Sequence, residues 1–172
     1  MKNTAINSIG YTGVVTLSRY TGSKKIKIAQ IQNAGVQSLF NFLADCLLGD
    51  FAIAKNNRPD KIMLLERAVQ DNNVTYTSCS DFIHVTSVEK VPSDSAGIVR
   101  YSFMVTSDRL ANNSFNCIGL YANSVRSHYP ADFSAIVEIT DEVKNANLSV
   151  SSVLVVDWEL NISNKEEKLI NV

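Results

Sequence analysis

Along much of this chain hydrophobic and polar residues alternate one by one, which puts successive side chains on opposite faces of an extended strand. The last such segment is the clearest. Leu154, Val156, Trp158, Leu160 and Ile162 share one face, Asp157, Glu159 and Asn161 take the other, and Val153 and Val155 lead in. The pattern predicts a long strand, buried on one side and partly covered on the other. Residues 98–106 set Val99, Tyr101, Phe103 and Val105 against Arg100, Ser102 and Thr106. Phe133, Ala135, Val137 and Ile139 repeat the alternation, and further strands are expected at 62–65, 82–91 and 115–122. Gly119 lies inside the last of these, where glycine weakens a strand unless a bulge or a close backbone approach calls for it. Near the start, 14–17 and 24–28 read as a hairpin, with Gly22 in the turn free to take positive φ. Ile26 and Ile28 face one way and the neighbouring lysines the other. Ile31 is out of phase by one, so a bulge is expected near Ala29 or Gln30.

The period changes once. Val36, Leu39, Phe40, Leu43, Cys46 and Leu47 recur at helical spacing, which predicts a helix over 32–50 with Asn33 as N-cap and Gly49 as C-terminal stop. Phe42 and Leu48 fall off the main stripe, so this helix is expected to be covered on more than one side, by a sheet or by a neighbouring subunit. Turn and loop signals punctuate the rest at 56–60, 71–73, 92–97, 111–114 and 122–132. About eight strands with one early helix, and no alternation of strand and helix, predict a mainly β fold: an antiparallel β-sandwich or jelly-roll-like domain with one inserted α-helix. The 172 residues suit one domain, with 1–12 and 164–172 as extended arms.

Composition sharpens this picture only modestly. Hydrophobic residues make up 45%, enough for a true core, while charged residues at 19% fall below the usual share of about 25%. A surface poor in charge suits a subunit that buries much of itself against neighbours. The net charge of −1 offers no domain-wide field for a nucleic-acid backbone, and Lys24, Lys25 and Lys27 read as a solvated strand edge. Cys46, Cys79 and Cys117 form no Cys-x-x-Cys pair and read as buried thiols of a reducing compartment. No run approaches the length of about 20 apolar residues that spans a bilayer, and no apolar signal core opens the chain, so neither membrane nor secretory routing is expected.

The search for chemistry returns little. His84 and His128 sit in no metal spacing, and His84 alternates with apolar residues so that it faces solvent or an interface. There is no nucleophile elbow, and the stretch around Thr21, Gly22 and Lys24 lacks the earlier glycine and the following helix of a phosphate loop. Asp157 and Glu159 share a strand face, where a polar surface or an ion pair is the expected role. No catalytic, cofactor-binding or metal-ligating residue is assigned, and no enzymatic activity is expected. Tyr121, Tyr129 and Asn123 sit in one loop region and carry an alternative reading, a carbohydrate- or receptor-binding β-sandwich module.

Three motifs in order carry a resemblance. Gly13 to Leu17 and the strand to Ile28 lead into Asn33–Ala34–Gly35–Val36–Gln37–Ser38–Leu39–Phe40 and a helix ending Cys46–Leu47–Leu48–Gly49–Asp50. Cys117–Ile118–Gly119–Leu120–Tyr121 is close to the Glu-Ile-Gly-Leu-Tyr strand of many phage tail and baseplate proteins, with Cys117 where those often have Glu. Val155–Val156–Asp157–Trp158–Glu159–Leu160 resembles their closing strand. From Gly13 to Asn164 the chain thus resembles tailed-bacteriophage structural proteins of the neck, tail connector or fibre-adaptor type, as in crAss-like podophages. The resemblance implies a non-catalytic virion protein, made in the bacterial cytoplasm and built into the particle in multiple copies. Its partners would be copies of itself in a ring and other virion proteins such as portal, tail or fibre components. The expected contact residues are Leu39, Phe42 and Leu48 on the helix, Tyr121, Arg126, His128 and Tyr129 around the 122–132 loop, and Leu169 and Ile170 in the tail.

Overall fold

The hairpin around Gly22 is present and longer than the alternation suggests. In the computed structural model, which describes residues 7–35, 37–93, 97–110, 115–125, 132–141 and 153–166, β1 (Asn7–Thr21) pairs antiparallel with β2 (Lys24–Gly35). Thr21 faces Lys24 across a two-residue turn, and Gly22 takes φ +62° there. The expected bulge falls one or two positions early. Leu17 faces Ala29 but Ser18 faces Lys27, so Ile28 is the extra residue. The slip brings Ala29 and Ile31 onto the face of Leu17 and Val15, against the core.

The expected helix requires correction at both ends. Asn33 is no cap: it lies in β2, whose last residues Ala34 and Gly35 pair with Ile136 and Ala135. Helix α1 runs Gln37–Leu48, and Gly49 ends it with φ +76°. The chain then forms a second helix instead of a loop. The Asp50 carboxylate accepts the Ile53 amide at 3.3 Å and caps α2 (Phe51–Asn57). Arg58, the residue before Pro59, is driven to extended backbone (ψ 131°) and stops it. A one-turn helix, α3 (Ser107–Leu110), follows later.

Strand β3 (Pro59–Gln70) absorbs the expected 62–65 run and turns at Asp71 and Asn72, with φ +50° and +63°, into β4 (Asn73–Ser78). Two consecutive positive φ values match the right-handed twist of a two-residue hairpin. The remaining strands are β5 (Ile83–Val91), β6 (Gly97–Val105), β7 (Cys117–Ala122), β8 (Ala135–Glu138) and β9 (Leu154–Glu166). Their order is β4-β3-β5-β6-β9-β1-β2-β8-β7, and β7 pairs again with β3. The fold is therefore mainly antiparallel β, a sandwich whose sheet closes into a barrel. Two strands turn the corners. β2 pairs first with β1 and then with β8, while β5 leaves β3 after His84 and joins β6 through an irregularity between Val85 and Ser87.

The interior is built in rows across the strands. Trp158 faces Val15 on one side and Tyr101 on the other, and Val156 faces Leu17 and Phe103. Ile62, Leu64, Ile118, Leu120 and Val137 close over them from the opposite sheet, and Leu39 of α1 seals the core. Opposite Trp158, the outer face carries ion pairs. Asp157 accepts Lys25 Nζ and Ser102 Oγ, each at 2.7 Å, while Arg100 bridges Glu159 and Glu89 at 2.6 Å each. Asp157 and Glu159 are thus each held by a cation of the chain itself.

A second, smaller core covers the outer face of β3 and β7. Met63, Leu65, Cys117 and Tyr121 lie beneath Tyr76, Phe82, Val125 and Phe133. Phe82 meets Tyr121 edge-on at 5.3 Å, and Tyr76 meets Phe133 at 5.2 Å. Gly119 is needed here for close approach: a Cβ at that position would lie 2.8 Å from the Tyr121 ring and 3.1 Å from Leu65 Cδ1.

Three outcomes test this packing. Trp158→Ala removes a fully buried ring and should cost about 3–5 kcal/mol in denaturant unfolding. Trp158→Phe should cost clearly less, because it keeps much of the ring volume and deletes an indole N–H that has no hydrogen-bond partner among the described residues. Gly119→Ala should destabilise by about 1–3 kcal/mol, while Gly97→Ala, whose Cβ would meet only Ile162 O at 3.9 Å, should stay within about 0.5 kcal/mol. Burial also pushes the Tyr101 phenol up to about 12 and raises Tyr121 as well. Both ionise more readily unfolded than folded. Their stabilisation is complete below about pH 10 and fades as pH rises toward about 12, so the unfolding midpoint should drop across that window and phenolate absorbance should appear late for both.

Candidate functional site

Because neighbouring strands are antiparallel, β2, β5, β7 and β9 all run toward one end of the barrel. The helices leave β2 there and deliver the chain to β3. The loop after β7 begins there, and β9 ends there beside the start of β1. The turns at Gly22 and at Asp71 lie at the opposite end. Topology therefore gathers the helices, the start of the β7–β8 loop and the end of β9, far apart in sequence, at a single helical end.

Hydrogen bonds weld this end together. Asn57 Nδ2 donates to Asp45 Oδ2 at 3.0 Å and ties α2 to α1. The amides of Asn123 and Ser124 donate to the carbonyls of Arg58 and Asn56, at 2.9 and 2.7 Å. Lys61, almost wholly buried, lies 4.6 Å over the Phe82 ring and donates to the carbonyls of Asn123 and Val125. The start of the β7–β8 loop is thus anchored to both the helices and the barrel wall.

The expected contact residues divide. Leu48 is 83% exposed, and Phe42 is half-buried against the main core. Leu39 and Tyr121 are corrections. Both are fully buried in the chain's own cores, so neither is available to a partner, and Tyr121 is not available to stack on a sugar. Arg126, His128, Tyr129, Leu169 and Ile170 lie outside the described residues. His84 is exposed on β5, as its alternation requires. Of the cysteines only Cys117 is buried; Cys46 is exposed, against expectation, because the side of α1 that meets the core carries Leu39 and Phe42. Partial desolvation and then the Asp45 carboxylate push the Cys46 thiol up, and desolvation followed by Glu66 does the same to Cys79. Neither is an activated nucleophile.

The exposed Leu48 does not stand alone. Leu47 is 75% exposed, Phe51 74% and Ile53 48%, all within the few residues that straddle Gly49. Scattered single apolar side chains are ordinary on a surface, but four large ones at one corner form a patch of the kind that marks an interaction site. Phe51 and Ile53 escape the sequence reading because the polar end of α2 resembles a loop. Asp50 as a cap before Phe51–Ala52–Ile53 was the available signal.

Between the helices and the β7–β8 connection lies a cleft of about 120 Å³ that includes Asn41, Asn57, Ser124 and Asp132. That is far below the roughly 300 Å³ at which small-molecule sites begin. Among the described residues no three His, Cys, Asp or Glu side chains are grouped to hold a metal ion, and no helix is long and apolar enough to cross a membrane. Comparison with protein-family models, with curated proteins and with solved structures finds no match to the chain.

Proposed function

We propose that the chain is a non-catalytic structural protein of a tailed-phage virion. It assembles in multiple copies in the neck, tail connector or fibre-attachment region, through contacts with itself and with portal, tail or fibre components. One observation carries the assembly half of this reading: the apolar corner of Leu47, Leu48, Phe51 and Ile53, four large side chains left in water within a few residues of one another. Burying such side chains is worth about 1.5–3 kcal/mol each, which is enough to drive association once several are covered together. The virion half rests on the ordered motifs around Gly13–Asp50, Cys117–Tyr121 and Val155–Leu160 that resemble phage tail and connector proteins.

Light scattering on the purified chain should give a multi-subunit species of fixed stoichiometry. A variant carrying Leu48→Asp and Phe51→Ser should run as a monomer, with an unfolding free energy within about 0.5 kcal/mol of the parent's monomeric value, because both side chains are already solvated in the subunit. A monomer at all concentrations and with every phage structural partner tried, or assembly indifferent to the two substitutions, would sink the reading.

A further inference from the structure

The opposite end of the barrel carries a second unfinished surface. Strand β4 stands last in the sheet order and pairs only with β3 among the described strands. Its sequence, Asn-Val-Thr-Tyr-Thr-Ser, contains no charged residue and no proline, the usual guards of an open edge. The other free side of β3 is handled differently. Asn116 Oδ1 accepts the Arg67 amide at 2.6 Å and its Nδ2 donates to the Arg67 carbonyl at 2.9 Å, so one side-chain amide stands in for a strand. Among the described residues no such plug sits on β4.

The register identifies the exposed backbone groups. Gln70 and Asn73 close the two-residue turn and form a hydrogen-bonded pair, so Thr75 and Thr77 also bond inward to β3. The amides and carbonyls of Val74 and Tyr76 therefore point out. On one face of the hairpin, Val74 and Val69 sit opposite each other, 45% and 58% exposed, and continue the row of Tyr76 and Phe133 from the second core. An incoming strand would find a ladder to complete and an apolar flank to cover.

We infer that residues 168–172 of one copy add as a strand to the outer edge of β4 in the next copy. This rests on the multi-copy reading above and specifies its contact. In Lys-Leu-Ile-Asn-Val, Ile170 and Val172 share a face that suits the Val74 and Tyr76 side, and the stretch is rich in β-branched residues. The segment enters from Glu166, at the helical end. From Leu154 to Glu166, β9 covers about 40 Å toward that end, while residues 167–172 reach at most about 20 Å. They therefore cannot return to the β4 of their own subunit. The contact is heterologous, joining the helical end of one subunit to the hairpin end of its neighbour, and it forms a ring if the rotation closes.

Two full-length variants separate donor from acceptor. Ile170→Asp disables the tail and leaves β4 intact; Val74→Pro removes an outward amide and leaves the β3 ladder intact, with Val74→Lys as a second edge variant should the proline disturb the hairpin. A labelled peptide of residues 167–172, titrated onto the Ile170→Asp chain, should bind one to one. Its affinity should fall by at least about fivefold on the chain carrying Ile170→Asp with Val74→Pro or Val74→Lys. In sizing experiments each single variant should lose higher assembly, and their mixture should give one-to-one pairs. No peptide binding, or equal binding to the edge variants, overturns the inference. So does an Ile170→Asp chain that assembles like the parent while Val74→Pro does not, which would indicate β4 pairing with β4 around a two-fold. If assembly depends on Leu48 and Phe51 yet ignores the tail and β4, the multi-copy reading stands and this contact falls.

Discussion

The constraint on which the rest depends is that β3 is shared. Around Lys61 and Ile62 it pairs with β5 on one edge and β7 on the other, and this double pairing turns a row of strands into a closed wall. Without it, β4, β3 and β7 would be edges of an open sheet, and Ile62 and Leu64 would have no opposite wall to face. With it, the two sheets are obliged to stack, and the row of Trp158, Val15 and Tyr101 acquires a lid. Closure also abolishes most of the free edges that make β proteins associate at random.

Closure makes both faces of β3 and β7 useful. Ile62, Leu64, Ile118 and Leu120 point into the barrel, while Met63, Leu65, Cys117 and Tyr121 point outward and still find cover. The aromatic layer of Tyr76, Phe82 and Phe133 supplies it, with Lys61 holding the adjoining loop by its carbonyls. This explains why β7 is buried at every position, unlike a surface strand of a simple sandwich. It also explains why Tyr121, conspicuous in the sequence near a loop, serves packing and not recognition.

What the closed wall leaves over is informative. The outer face of β6 and β9 carries ion pairs such as those of Arg100 with Glu89 and Glu159. Two surfaces left open lie at opposite ends: the apolar helical corner and the unguarded edge of β4. A subunit with unlike ends is suited to head-to-tail association, whereas one self-complementary patch would suit a two-fold dimer.

The sequence by itself determined the local facts: the alternation of β6 and β9, the turn at Gly22, the stop at Gly49 and the all-antiparallel class, because side-chain period and φ preference are properties of neighbouring residues. The inner face of β9 was legible to the residue, since a period of two admits only two assignments. The hairpin strand β4 was not legible, because it is short, mostly exposed, and alternates only Val74 and Tyr76 with Thr75 and Thr77. Helix α2 was hidden by an Asn-Asn end that only its capped start redeems. Which apolar residues of the helices are spent on the core and which remain outside was decided by tertiary structure alone. Leu39 and Leu47 share one helical stripe in the sequence, but the direction in which β2 delivers the chain turns the first inward and leaves the second in water.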